Sequence, residues 1–220
     1  MTKILVLIDG FNYYHRLKKY QQNNKKCVKW LNYQAMIEES LRKYQNYSDD
    51  SHFEIIYFSA IADWRGDEPK NRHECYINAL KKTGVKIILG EFKKKELPPC
   101  SNCKQRKPNE KILKHEEKHT DVNIAITLLE KAFLDEFDDA YILSGDNDYV
   151  PAVRKVKELF PHKRIIICPP PQKFYCIDAL VRASQEKDAY RFKWNQVMKY
   201  QFPNNFEGLV NPWKIEEVDE

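Results

Sequence analysis

The stretch Ala140-Tyr141-Ile142-Leu143-Ser144-Gly145-Asp146-Asn147-Asp148-Tyr149-Val150 decides how the rest of the chain is read. A short run of mostly β-forming residues ends at Ser-Gly, two acids follow at i and i+2, and a helical pattern begins near Tyr149. In an open α/β sheet, ligands sit beyond the carboxyl ends of strands, where loops run into helix starts. The order predicts Asp146 and Asp148 at such an end. The amino terminus repeats the arrangement, because the apolar run Ile4 to Ile8 stops at Asp9-Gly10 with Asn12 close behind. Placed as parallel central strands, the two runs bring Asp9 and the Asp146/Asp148 pair to one sheet edge. Carboxylates crowded together repel one another and lose solvation, and a cation between them relieves both costs. Hard oxygen ligands of this kind favour Mg²⁺ or Mn²⁺.

Working outward, the pattern predicts a first helix over Phe11 to Tyr20, a polar loop over Gln21 to Lys29 and a second helix over Leu31 to Tyr44. Phe53 to Ile61 and Val85 to Leu89 read as strands, separated by a helix from about Pro69 to Lys82 that stops at Gly84. Regularity breaks between Gly90 and Lys118, where lysines, prolines and a Cys-x-x-Cys suggest an insertion or a long functional loop. Thr120 reads as the cap of a helix over Val122 to Phe133. Beyond the Tyr141 strand come a helix to Leu159, a strand over Arg164 to Cys168, a helix over Phe174 to Ser184 and a short edge strand over Tyr190 to Phe192. Alternating strands and helices imply an α/β fold, a mostly parallel sheet with helices on both faces. The expected organisation is one domain over residues 1–190, with residues 90–118 as a basic insertion, followed by a tail over 191–220.

Composition limits the function classes. A chain of 220 residues with 42% hydrophobic and 31% charged residues suits one soluble domain. No stretch approaches the ~20 apolar residues of a membrane span, and the N-terminal apolar run is too short for a signal peptide. Six cysteines do not amount to a disulfide scaffold, so the expected location is the cytoplasm. The net charge of +5 is uneven. Glu91 to Lys118 carries nine Lys/Arg against five Glu, whereas Asn204 to Glu220 carries five acids against Lys214. A basic segment beside an acidic cluster suits a polyanionic substrate, although a lysine-rich segment is also an ordinary solvated loop.

Asp121, in the first turn of its helix, is the fourth acid. Singly, Asp121 answers to the helix dipole, Asp148 to a helix cap and Asp9 to a turn; together, acids at two strand ends and a helix start exceed what capping needs. Divalent ions held by such acids activate water, screen a phosphodiester and stabilise its leaving oxygen. No Gly-x-Ser-x-Gly elbow, Walker loop or Gly-x-Gly-x-x-Gly is present, which argues against serine hydrolase and nucleotide-cofactor chemistry.

Three segments, Ile8-Asp9-Gly10-Phe11-Asn12, Glu117-Lys118-His119-Thr120-Asp121-Val122 and Ser144-Gly145-Asp146-Asn147-Asp148, resemble the signature segments of the NYN (LabA-like) domain family of the PIN-like nucleases. The resemblance covers about residues 3–185. It implies a PIN-like sheet and a metal-dependent RNA endonuclease, with Asp9, Asp121, Asp146 and Asp148 at the acidic Mg²⁺/Mn²⁺ site and Asn12 as its nearby polar residue. Asn147 stands where that family often has Ser. Ser144, Asn147, Lys118 and Arg72 join Asn12 as candidate substrate contacts. The expected partner is RNA, single-stranded in preference, and a homodimer is also admitted.

Cys100-x-x-Cys103, followed by His115 and His119, has spacing that suits a structural Zn²⁺. Cys100, Cys103 and His115 are the candidate ligands; the competing reading is a plain exposed loop, with His119 facing the acids instead. Tyr13 and Tyr14 read as core residues or as base-stacking platforms. Cys75, Cys168 and Cys176 read as core, and Cys27 as a surface thiol. The rival function is a catalytically silent RNA- or protein-binding module that uses the Cys-x-x-Cys loop.

Overall fold

The computed structural model describes residues 1–97, 112–171 and 177–214. Five parallel strands form the central sheet: β1 (Lys3–Asp9), β2 (His52–Ser59), β3 (Lys86–Leu89), β6 (Asp139–Leu143) and β7 (Arg164–Ile167), in the order β3-β2-β1-β6-β7. The chain winds outward from β1 through β2 to β3 and then crosses back to start again at β6. The two halves therefore part between β1 and β6, and that reversal opens a crevice at the carboxyl end of the sheet. Ile8 pairs with Leu143 in this seam, so Asp9 and Ser144 follow side by side.

Alternation along β1 builds a core on each face. Ile4, Val6 and Ile8 pack with helices α1 (Gly10–Asn24) and α2 (Tyr33–Gln45). Leu5 and Leu7 pack on the other face with α4 (Thr120–Phe133), α5 (Val150–Leu159) and α6 (Asp178–Ser184). The remaining long helix, α3 (Asp67–Lys82), follows a 3₁₀ turn at Asp63–Arg65 and contributes Tyr76, Ala79 and Leu80 to the first core. No helix among the described residues is long and apolar enough to cross a membrane.

Several local expectations change. Helix α1 runs to Asn24, where Lys25 turns left-handed, so the expected polar loop begins four residues late. The described arms of the 90–118 segment are not irregular. Strands β4 (Glu91–Leu97) and β5 (Ile112–Lys118) form an antiparallel ribbon, with charges on both faces instead of the apolar alternation that marks a half-buried strand. Tyr190 to Phe192 forms no strand; Tyr190 N–H donates one hydrogen bond, 2.9 Å, to Ile167 beside β7. Phe192 instead enters the first core with Val197 of α7 (Trp194–Lys199) and Phe202. A small hairpin, β8 (Asn205–Phe206) with β9 (Leu209–Val210), follows. Cys168 is buried as expected, but Cys27 and Cys75 are both half-buried, Cys27 beside the Asn211 amide. Cys176 and the expected start of the α6 helix lie outside the described residues.

Candidate active site

Asp9 ends β1 and is 5% exposed. As the cap of α1, it accepts the Asn12 N–H on Oδ1 at 2.9 Å. Its Oδ2 accepts the Ser144 hydroxyl at 2.9 Å and lies 3.1 Å from the Tyr149 hydroxyl. Gly10 is required beside it, because a Cβ there would stand 2.5 Å from both the Phe58 carbonyl oxygen and Tyr57 Cζ. Burial pushes the Asp9 carboxyl up from 3.8 to about 6. The donors that hold its charge, Asn12 N–H, Ser144 and Tyr149, are neutral, while the charge on Asp121 opposes it.

Tyr149 carries the connection to Asp121. It closes a 3₁₀ turn (Asn147–Tyr149) ahead of α5, and its hydroxyl donates to Asp121 Oδ1 at 2.7 Å. Burial and then the Asp9 charge hold this phenol far above the ordinary tyrosine range, so it stays protonated with one hydrogen between two carboxylates. Sequence reasoning missed Tyr149 because it sought acids; the available signal was an aromatic one residue beyond Asp148, at the junction of turn and helix.

Asp121 is aimed by the turn before it. His119, not Thr120, precedes α4, and it adopts a left-handed φ of 77° that swings the chain out of β5. Thr120 is the first helical residue, and its N–H is held by the Glu117 carboxylate at 3.1 Å. Asp121 follows in the first turn, at the positive end of the helix.

Asp146 and Asp148 occupy the adjoining turn. Asp146 N–H donates to Ser144 Oγ at 3.2 Å, and Asp146 Oδ1 accepts the Asp148 N–H at 3.0 Å. Such an i to i+2 bond is a local turn device, so the spacing first read as twin ligands also serves the backbone. Asn12 Oδ1 accepts the Gly145 N–H at 3.2 Å and ties α1 to this turn. The structure thus gathers Asp9, Asp121, Ser144 and Asn12, with Asp146 and the exposed Asn147 and Asp148 on the neighbouring rim. No three His, Cys, Asp or Glu side chains converge as a metal-holding group among the described residues.

The other candidates lie further out. Lys118 Nζ is 3.2 Å from Glu116 at the base of the ribbon. Arg72 forms an ion pair with Glu68 one turn away on α3. His115 stacks on Trp64, ring centroids 4.0 Å apart, and Trp64 meets Phe92, which meets Phe11 of α1; this aromatic chain seats the ribbon over the first helix. Cys100 and Cys103 lie outside the described residues. Tyr13 is core, its hydroxyl donating to the Cys168 carbonyl at 2.9 Å.

A family model described as the NYN domain matches residues 3–184, which span all five parallel strands and the four acids. The chain belongs to the NYN domain family. NYN domains form a PIN-like nuclease family, and the five-stranded parallel sheet of this chain agrees with that placement. Among solved structures, this NYN domain is similar to a protein of unknown function from Vibrio parahaemolyticus, at 18% identity and a TM-score of 0.49 over 87% of this chain and 91% of that one. No curated protein matches it.

Proposed function

We propose that this NYN domain is a cytoplasmic, divalent-metal-dependent RNA endonuclease that hydrolyses phosphodiester bonds. One observation carries the reading: among the described residues, a buried carboxylate, Asp9, is linked to a second, Asp121, through the neutral Tyr149 hydroxyl. The donor chemistry suits a hard divalent ion, which Asp9 and Asp121 would hold together with Asp146 or Asp148 from the adjoining rim. When bound, such an ion supplies charge neutralisation at the phosphodiester and makes water a competent nucleophile. The remaining roles fall to the chain itself. Ser144 and Asn12 N–H fix the Asp9 rotamer; Tyr149 holds Asp9 and Asp121 in register; Asn12 ties the Gly145 turn to α1. Asn147 and Lys118 border this end of the sheet as contacts for the substrate backbone. The unpaired thiols Cys27, Cys75 and Cys168 suit a reducing compartment.

Cleavage of a labelled single-stranded RNA with Mn²⁺ tests this reading, with EDTA and the Asp9→Asn and Asp121→Asn proteins alongside. Loss of cleavage in all three supports it. Full-rate cleavage by both variants, or cleavage indifferent to EDTA, overturns it.

A further inference from the structure

A groove of about 710 Å³ runs along the far part of α1, away from the acids. Its walls include Arg16, Lys19, Arg191 and Lys193, together with Tyr20 and Trp194, whose rings stack with centroids 3.7 Å apart. No acid lines it. Lys19, Arg191 and Lys193 form no ion pair among the described residues. The ribbon behaves differently: Lys93 pairs with Glu91, and Lys95, Lys114 and Lys118 all converge on Glu116. Among the described residues, Lys93, Lys95, Lys114 and Lys118 of the ribbon are thus held by its own acids, whereas Lys19, Arg191 and Lys193 remain for a polyanion.

The groove is also joined to the acidic site. Residues 16, 19, 20, 23 and 24 share one face of α1, so it lies parallel to the helix axis. The helix starts directly after Asp9 and covers roughly 20 Å by Asn24. Pro171, just past the end of β7, forms part of the wall, and Tyr13 anchors α1 to that same strand end.

We infer that this groove is a second subsite for single-stranded RNA, in which Lys19, Arg191 and Lys193 hold backbone phosphates and the Tyr20–Trp194 pair receives a base a few nucleotides from the bond cut at Asp9. The inference rests on the proposed nuclease reading and adds the path of the strand. Single-stranded RNA fits because unpaired cations track its backbone and aromatic rings take its unstacked bases.

The test compares a fluorescent oligouridylate of about twelve nucleotides with a trinucleotide, by anisotropy in EDTA over a series of salt concentrations. The wild type is expected to bind the longer strand more tightly. The Lys19→Gln/Arg191→Gln protein is expected to lose about tenfold of that advantage, and its log–log salt slope to fall by about 1.4, at ~0.7 for each phosphate contact removed. Lys81→Gln, an exposed change on α3 away from the groove, serves as the charge control. Photocrosslinking of a 4-thiouridine strand is expected to mark the peptides that carry Tyr20 or Trp194. A double variant that binds like the wild type at every length and salt, with crosslinks confined to the ribbon, overturns the groove. Cleavage measured with Mn²⁺ on the same wild-type sample reads the nuclease separately: activity there leaves that reading standing even if the groove falls, and a wild type that neither binds nor cuts RNA removes both.

Discussion

The Tyr149 hydroxyl lies 2.7 Å from Asp121 and has a single proton to give. Asp9, 3.1 Å away on the other side, competes for it. Tyr149→Phe removes the only described group that touches both carboxylates while leaving the ring in the second core. The variant is expected to lose about 1.5–3 kcal/mol of stability at neutral pH, the scale of a hydrogen bond to a charged group. Its affinity for Mn²⁺ is expected to fall as well. Denaturant unfolding and calorimetric titration check the two parts; a variant with unaltered Mn²⁺ affinity would deny Tyr149 its positioning role.

Asp9 makes the folded state less stable as it ionises. Its carboxyl titrates at about 6 in the folded chain against 3.8 for an ordinary aspartate, so the folded chain holds that proton more tightly. The contribution is fully favourable below pH ~4, declines as pH rises to about 6, and is then lost, a change on the order of 3 kcal/mol. Asp9→Asn keeps an acceptor for the Asn12 N–H and never ionises. At pH 7.5 it is expected to be more stable than the wild type by about 1–3 kcal/mol, with the gain absent at pH 4. Equal stability at both pH values would mean that Asp9 carries no electrostatic strain.

On the proposed reading, a divalent ion would compete with that same proton. Mn²⁺ is expected to raise the unfolding temperature of the wild type at pH 7.5, to do so progressively less as pH falls below about 6, and to leave Asp9→Asn nearly unmoved. A pH-independent shift would place the ion elsewhere.

Gly10→Ala forces a methyl group against the Phe58 carbonyl and the Tyr57 ring. A cost of about 1–3 kcal/mol is expected, typical of overpacking, together with cleavage reduced beyond what lost stability explains, because Asp9 is the adjoining residue. Thermal unfolding and single-turnover rates separate the two effects.

What the sequence disclosed depended on how far each feature's cause was local. Strands β1 and β6 are continuous apolar runs because both faces of the sheet are covered, and each ends abruptly at a polar turn; Asp9 and Ser144 could be placed from that alone. The ribbon hid because Lys93 to Glu96 satisfies its neighbours by charge pairing, which leaves no apolar period to read. The role of Tyr149 depends on β1, α4 and α5 meeting; its place beside Asp148 marks the turn but not that meeting. Asp146 is a different case: Asp-x-Asp spacing is the same for two ligands and for a side chain that caps its own turn, and the turn bond is the part the structure adds. The groove joins α1 to residues 191–194, segments about 170 positions apart, neither of which has a pattern that announces the other.

The placement of β1 between β2 and β6 has a consequence for how the chain comes into being. The central strand β1 is made before both of its neighbours, and its second edge stays unpaired until residue 143 has been made. Over that interval the growing chain exposes an apolar edge of the kind that recruits other strands, and it must close a loop of more than a hundred residues before the contact rewards it. Asp9 waits for Ser144 and Tyr149 through the same interval. A half-made chain therefore carries the acids without the arrangement, and the site takes shape late, together with the last contacts of the sheet.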